Sequence, residues 1–289
     1  MDFIYGKNVE SEYPLVKTSI ERITPEKAEE MLAANVRNRR PKKTTVAKAI
    51  QRGEWVLNGE TIVFSSDGVL IDGQNRLMAI AASGTPCDVV VVRGVERSAQ
   101  LTIDVGAKRR LSDYLEMDGY KAARNVAAIG TALLMADKHG IDSHYVTKNN
   151  YTFTINELYD FTTSAYETRI APILNQTTGV ARLYKLRVAL FAPLFDVFRR
   201  IDYDSFDEFA SQMKCVTVQC QPVQKLSHLL MLNRDDRKGS LATRTIAAYT
   251  VKVWNAYMQG EELPFLRFIL GGAHPEAFPA IFGCEQVTA

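Results

Sequence analysis

Val69–Leu77 reads VLIDGQNRL, and the change of character inside it sets the fold. Val69–Ile71 is a short apolar, strand-like run. Asp72-Gly73 breaks it. From Asn75 the segment NRLMAIAASG carries apolar residues at helical spacing and ends on Gly84. A strand that turns through glycine into a helix leaves the first helical N–H groups without intrahelical acceptors. The positive end of the helix dipole then points at whatever sits above the turn, and phosphate suits it best. Asp72, Gly73, Gln74, Asn75 and Arg76 are therefore the candidate phosphate- or nucleotide-binding residues. Arg76, on the first turn, is expected to be exposed and able to fork onto two oxygens. Asp72 can hold a hydroxyl or a metal-bound water and is the candidate catalytic residue. The same letters have a plainer reading, because Asp-Gly is a common turn and Asn a common helix cap.

Upstream, Lys17–Ile23 alternates as a first strand. Thr24-Pro25-Glu26 reads as a helix start, with Thr24 as cap and Pro25 at the first helical position. A basic stretch, RNRRPKK, follows Asn35. Thr44 or Thr45 then caps a second helix, stopped by Gly53, and Trp55 is expected to pack on the sheet edge. Thr61–Phe64 and Val69–Ile71 flank SSDG as a hairpin. Asp88–Val92, DVVVV, is a buried strand, and Ser98–Thr102 is expected to be helical.

The motifs in order are Asn-x-x-Asn-Arg-Arg, Gly-x-Trp, an apolar strand, Asp-Gly-Gln-x-Arg-Leu at Asp72–Leu77, and Ile-Asp-x-Gly-x-x-Arg at Ile103–Arg109. Over residues 18–115 this order resembles the ParB/sulfiredoxin superfamily, in the form often carried by bacteriophages and prophages. The resemblance implies an α+β fold: a small mixed sheet with helices, built around a phosphate-binding strand–turn–helix that Asp72, Gly73 and Arg76 match. It implies a nucleotide or DNA partner, since ParB proteins bind DNA and cytidine triphosphate, sulfiredoxin uses ATP, and other members are kinases or nucleases. Two departures narrow it. Sulfiredoxin needs a cysteine just after the turn glycine, and this chain has Gln74. Many relatives carry His where this chain has Asn75, which takes up no proton near neutral pH. The first argues against sulfiredoxin chemistry, and the second moves the expectation from enzyme toward binder.

The 289 residues are 46% hydrophobic, enough to bury the cores of about two domains. Net charge is only +2, so the whole chain carries no strong nucleic-acid signal. Its cations are unevenly placed. Arg37, Arg39, Arg40, Lys42 and Lys43 crowd one loop, and Arg109 follows the second polar turn; these are the candidate nucleic-acid contacts. A solvated face is the plainer reading of such runs. The four cysteines, Cys87, Cys215, Cys220 and Cys284, form no CxxC pair and no zinc spacing. Cys215 and Cys220 are expected to sit one helical turn apart as buried apolar residues. No apolar run reaches membrane-spanning length and the N-terminus lacks a signal-peptide core, so a bacterial-cytoplasm location with no membrane partner is expected.

Residues 1–17 read as an arm, 18–116 as the ParB/sulfiredoxin-like domain, and 117–289 as an all-α domain of five or six helices. In the last, Asp142–Thr154 reads as a polar loop, Thr154-x-x-Glu157 as a capping box, and Pro193 as a kink. Arg182, Lys185, Arg187, Arg199, Arg200, Arg234, Arg237, Lys238 and Arg244 add cations there, without helix-turn-helix spacing. The leading expectation is a nucleotide- or DNA-binding protein. The alternative is a metal-dependent nuclease or phosphotransferase, with a nucleoside triphosphate and Mg²⁺ as cofactor and Asp72, Asp104 and, more distantly, Glu26 as carboxylates. A third is an interaction protein that kept the fold and lost the ligand. The sequence leaves oligomerisation open.

Overall fold

Four strands and twelve α-helices form among the described residues of the computed structural model: 13, 15–35, 45–101, 103, 109–145, 152–215, 218–235, 241–271 and 274–286. The chain divides into two compact units. One comprises Met1–Lys108 with Thr152–Asn156; the other comprises Arg109–Tyr151 with Glu157–Ala289.

In the first unit the strands are β1 (Lys17–Ile23), β2 (Thr61–Ser65), β3 (Leu70–Asp72) and β4 (Cys87–Val95), in sheet order β1-β4-β2-β3. β4 pairs antiparallel with β1, placing Ile20 opposite Val90, and parallel with β2. β2 and β3 form an antiparallel hairpin, so the sheet is mixed. Its turn closes by Ser65 N–H to the Val69 carbonyl, 2.9 Å, and Gly68 N–H to the Ser65 carbonyl, 3.0 Å. Alternation along β4 assigns its faces. Cys87, Val89 and Val91 are buried, while Asp88 is exposed and Val90 and Val92 are half-buried.

The buried face joins Ile62, Phe64 and Leu70 in one core with residues of three helices, α1 (Pro25–Ala33), α2 (Val46–Gln51) and α3 (Gln74–Ser83). Ala28, Met31, Ile50, Leu77 and Ile80 are their inward residues. Each of the methionine, isoleucine and leucine side chains contributes about 1.5–3 kcal/mol by leaving water. Thr24 caps α1 as its sequence indicates, its hydroxyl accepting from Lys27 N–H at 3.2 Å. Trp55 packs partly buried on this core and its indole N–H donates to the Asp88 carbonyl, 3.1 Å. That ties it to β4, an interior strand, not to an edge. Arg97–Leu101 forms a 3₁₀ turn.

The regular elements of the second unit, among its described residues, are all helices: α4 (Leu111–Met117), α5 (Ala123–His139), α6 (Ile141–His144), α7 (Ile155–Ser164, its first two residues in the first unit), α8 (Ala171–Leu183), α9 (Val188–Ile201), α10 (Tyr203–Gln212), α11 (Gln221–Asp235) and α12 (Thr243–Gln259). A single π turn, Tyr166–Ile170, divides what reads in sequence as one helix into α7 and α8. α9 is the hub. Leu190–Phe198 is buried throughout, as expected of a helix apolar on every side. Phe198 stacks on Trp254 of α12 with centroids 4.3 Å apart.

Two groups on α9 need partners, and both have them. Asp196, 1% exposed, takes Arg169 at 2.7 Å and Arg200 at 3.2 Å; Arg169 also reaches Asp137 at 2.6 Å. Pro193 has no N–H to give the Ala189 carbonyl four residues back. His144 Nε2 lies 2.9 Å from that carbonyl and supplies the missing donor. α9 therefore runs through Pro193 without interruption.

Two readings are corrected here. Asp142–Tyr145 is not loop: Asp142, Ser143 and His144 lie in α6, Tyr145 is buried, and Asp142 pairs with Arg244 at 2.6 Å. The segment looks polar because its polar atoms are spent on internal partners. Cys215 is exposed and Cys220 half-buried, and they lie in the connection between α10 and α11, not on one helical turn. The chain after Gly271 is irregular, as its Gly/Pro content suggests, but it is anchored. Phe278 stacks on Tyr145 and Asn255 donates to the Ala280 carbonyl, 2.8 Å.

Candidate functional site

The turn between β3 and α3 depends on Gly73. Its φ is +95°, in the left-handed region, and a Cβ there would stand 2.9 Å from the Ile62 Cα of the neighbouring strand. Both conditions exclude other residues, so glycine here lets β3 press against β2 while the chain swings into the helix. Gly73 is the N-cap of α3 and brings no side chain to cap it. The first intrahelical bond is Leu77 N–H to the Gly73 carbonyl, 3.0 Å. The helix dipole thus opens at the end of β3, behind a cap residue that has no side chain of its own.

Asp72 ends β3, and its carboxylate lies 3.7 Å from the Arg76 guanidinium, one helical turn on. Asn75 is half-buried and its amide makes no hydrogen bond among the described residues. Gln74 differs from its expected role. It is 8% exposed and belongs to the interior.

Arg76 also differs. Its side chain is only 16% exposed. One guanidinium nitrogen donates to the Thr61 carbonyl and another to the Glu60 carboxylate. The reason is strand register. Val63 of β2 pairs with Asp72, which brings the start of β2 beside the first turn of α3. Arg76 therefore lies in a notch between two strands and a helix. One of its partners, the Thr61 carbonyl, is fixed backbone. The other, Glu60, is 66% exposed and on the rim. Glu60 is the residue that sequence reading missed. The hairpin signal at Ser66–Gly68 fixes the register that reveals it.

Among the described residues the site thus sets Arg76 between two carboxylates, Asp72 and Glu60. Among the described residues no group of three or more His, Cys, Asp or Glu side chains could share a metal ion. Glu26, on the exposed side of α1, accepts hydrogen bonds from the Thr24 hydroxyl and its own N–H, which hold its pKa below the usual carboxylate value. Arg37, Arg39, Arg40, Lys42, Lys43 and Asp104 lie outside the described residues. Arg109 is exposed and belongs to the second unit.

No protein-family model, curated protein or solved structure matches the chain. No helix among the described residues is long and apolar enough to cross a membrane.

Proposed function

We propose that this chain binds the phosphate of a nucleotide or of DNA at the β3–Gly73–α3 turn, as a ParB-like protein of bacteriophage or prophage type acting in the cytoplasm of its bacterial host. The observation that carries the reading is the N-terminus of α3 opening directly behind Gly73, whose left-handed backbone and close approach to Ile62 favour glycine, with Arg76 beside it. Backbone N–H groups and a dipole attract the anion, and a guanidinium supplies the charge. Asn75, with its amide unused among the described residues, adds a donor. The motif order from Asn35 to Arg109 supports the family reading.

A second reading, metal-assisted phosphoryl transfer or nuclease action, draws on the partly exposed Asp72 carboxylate at the same turn. The test is a thermal-shift panel of nucleoside triphosphates with and without magnesium. A ligand of the folded state raises the melting temperature by mass action. A shift with triphosphate supports the binder. Magnesium-dependent phosphate release or DNA nicking that Asp72→Asn abolishes would favour the second reading. No shift with any phosphate ligand would remove the site.

A further inference from the structure

The second unit gathers cations at one end of α8, and those on the turn itself are exposed. The turn from α8 to α9, Arg182–Arg187, reads RLYKLR, with three cations and no acid. Tyr184 fixes it from beneath: its ring is buried and its hydroxyl donates to the Met213 carbonyl, 2.7 Å. Arg182, Lys185 and Arg187 are all exposed around that anchor. The same bond brings Lys214 alongside, its stem passing over Gly179 of α8, where a Cβ would meet the lysine Cδ at 3.1 Å. From α11, Arg234 reaches across to donate to the Leu183 carbonyl, 3.1 Å.

Other arginines of the unit have internal duties. Arg169 and Arg200 hold Asp196, Arg244 holds Asp142, and Arg199 donates to the Thr168 carbonyl. Arg182, Lys185, Arg187 and Lys214 form no ion pair among the described residues.

The backbone adds an independent sign. α8 closes by Leu186 N–H to the Ala181 carbonyl, 2.9 Å, and Lys185 N–H to the Arg182 carbonyl, 3.3 Å. Lys185 occupies the left-handed position of that closure at φ +53°. Helices end this way most easily on glycine, and a side chain there costs on the order of 1 kcal/mol. The chain keeps a lysine at the apex of the turn where glycine would suit the fold better.

We infer that the α8–α9 turn, with Lys214 and Arg234 beside it, is a contact surface for the phosphate backbone of duplex DNA. Several cations distributed over a turn and the segments beside it fit a string of charges better than a single carboxylate. The turn exposes no large apolar side chain of the kind that would enter a lipid interface. With only Lys and Arg facing out, it would position the duplex without reading its bases. This surface stands apart from the β3–Gly73–α3 reading and does not depend on it.

The test uses the full chain and a short fluorescein-labelled duplex, followed by anisotropy across a salt series. Lys185→Gly is expected to keep or raise the melting temperature, because it relieves the backbone, and yet to weaken duplex binding on every sequence. The slope of log affinity against log salt should fall by roughly 0.9 for each phosphate-neutralising cation removed. Combining it with Arg182→Ala and Arg187→Ala should weaken binding by about tenfold or more, while any melting shift given by nucleoside triphosphate stays unchanged. Four results would overturn the inference: no duplex binding by the wild type, unchanged affinity and slope in the triple variant, a lowered melting temperature for Lys185→Gly, or wild-type preference for phosphatidylserine vesicles over the duplex.

Discussion

The Glu60 carboxylate holds the Arg76 guanidinium at the mouth of the β3–Gly73–α3 turn, although sixteen residues separate the two in sequence. This ion pair fills with an internal carboxylate the side of Arg76 that an incoming phosphate would take. Glu60 sits on the rim and is 66% exposed, so an exchange of one oxyanion for another needs no rearrangement of the core.

Glu60→Gln should therefore tighten binding of nucleoside triphosphate, by roughly fivefold for a charge interaction of about 1 kcal/mol. The fold should lose little, because an ion pair with so exposed a partner contributes under about 1 kcal/mol. Isothermal titration of the variant beside the wild type checks this. Equal or weaker affinity would show that Glu60 does not compete.

Gly73→Ala should loosen the first unit. The left-handed backbone and the 2.9 Å approach to Ile62 both oppose a methyl group, together by on the order of 2 kcal/mol. Hydrogen exchange of the β2 and β4 amides should quicken by roughly thirtyfold, with the α9 amides unaffected. Unchanged exchange in β2 and β4 would mean that the turn tolerates a side chain.

Much of the fold is legible in the residues. Lys17–Ile23 alternates and is followed by Thr24-Pro25, so β1 and the start of α1 read directly. Gly73 and Gly84 bracket α3, and the serine-rich turn before Val69 marks the hairpin. Periodicity along one helix shows which side of that helix is buried, but not which strand supplies a partner. Hence Arg76 reads as exposed until register brings Glu60 and Thr61 to it. Polarity misleads in the same way at Asp142–Tyr145, whose polar atoms serve Arg244, Ala189 and Leu190. The α7–α8 stretch is apolar at helical spacing throughout, and nothing in that pattern announces the π turn.

His144 and Pro193 should be energetically coupled. Removing the imidazole leaves the Ala189 carbonyl without a donor, so His144→Ala should cost about 1–3 kcal/mol. Pro193→Ala restores a helical N–H to the same carbonyl, and in that background the histidine should matter less. Burial also lowers the His144 pKa in the folded chain. The unfolded chain then binds the proton more readily. Its contribution to stability is complete above the ordinary histidine value of about 6.5 and is lost as pH falls below it. Urea melts of the four chains of the cycle, repeated across that pH range, measure both effects. Additive costs, with no pH dependence removed by His144→Ala, would contradict the assignment.

The most direct measurement of the central claim is an amide nitrogen–proton correlation spectrum of the full chain, titrated with nucleoside triphosphate. The amides of Gly73–Leu77 should shift first and furthest, together with the Asn75 side-chain amide and the Arg76 guanidinium protons, and Arg76→Ala should remove the shifts. Saturable binding that leaves Gly73–Leu77 unmoved, with its shifts elsewhere in the chain, would contradict that claim.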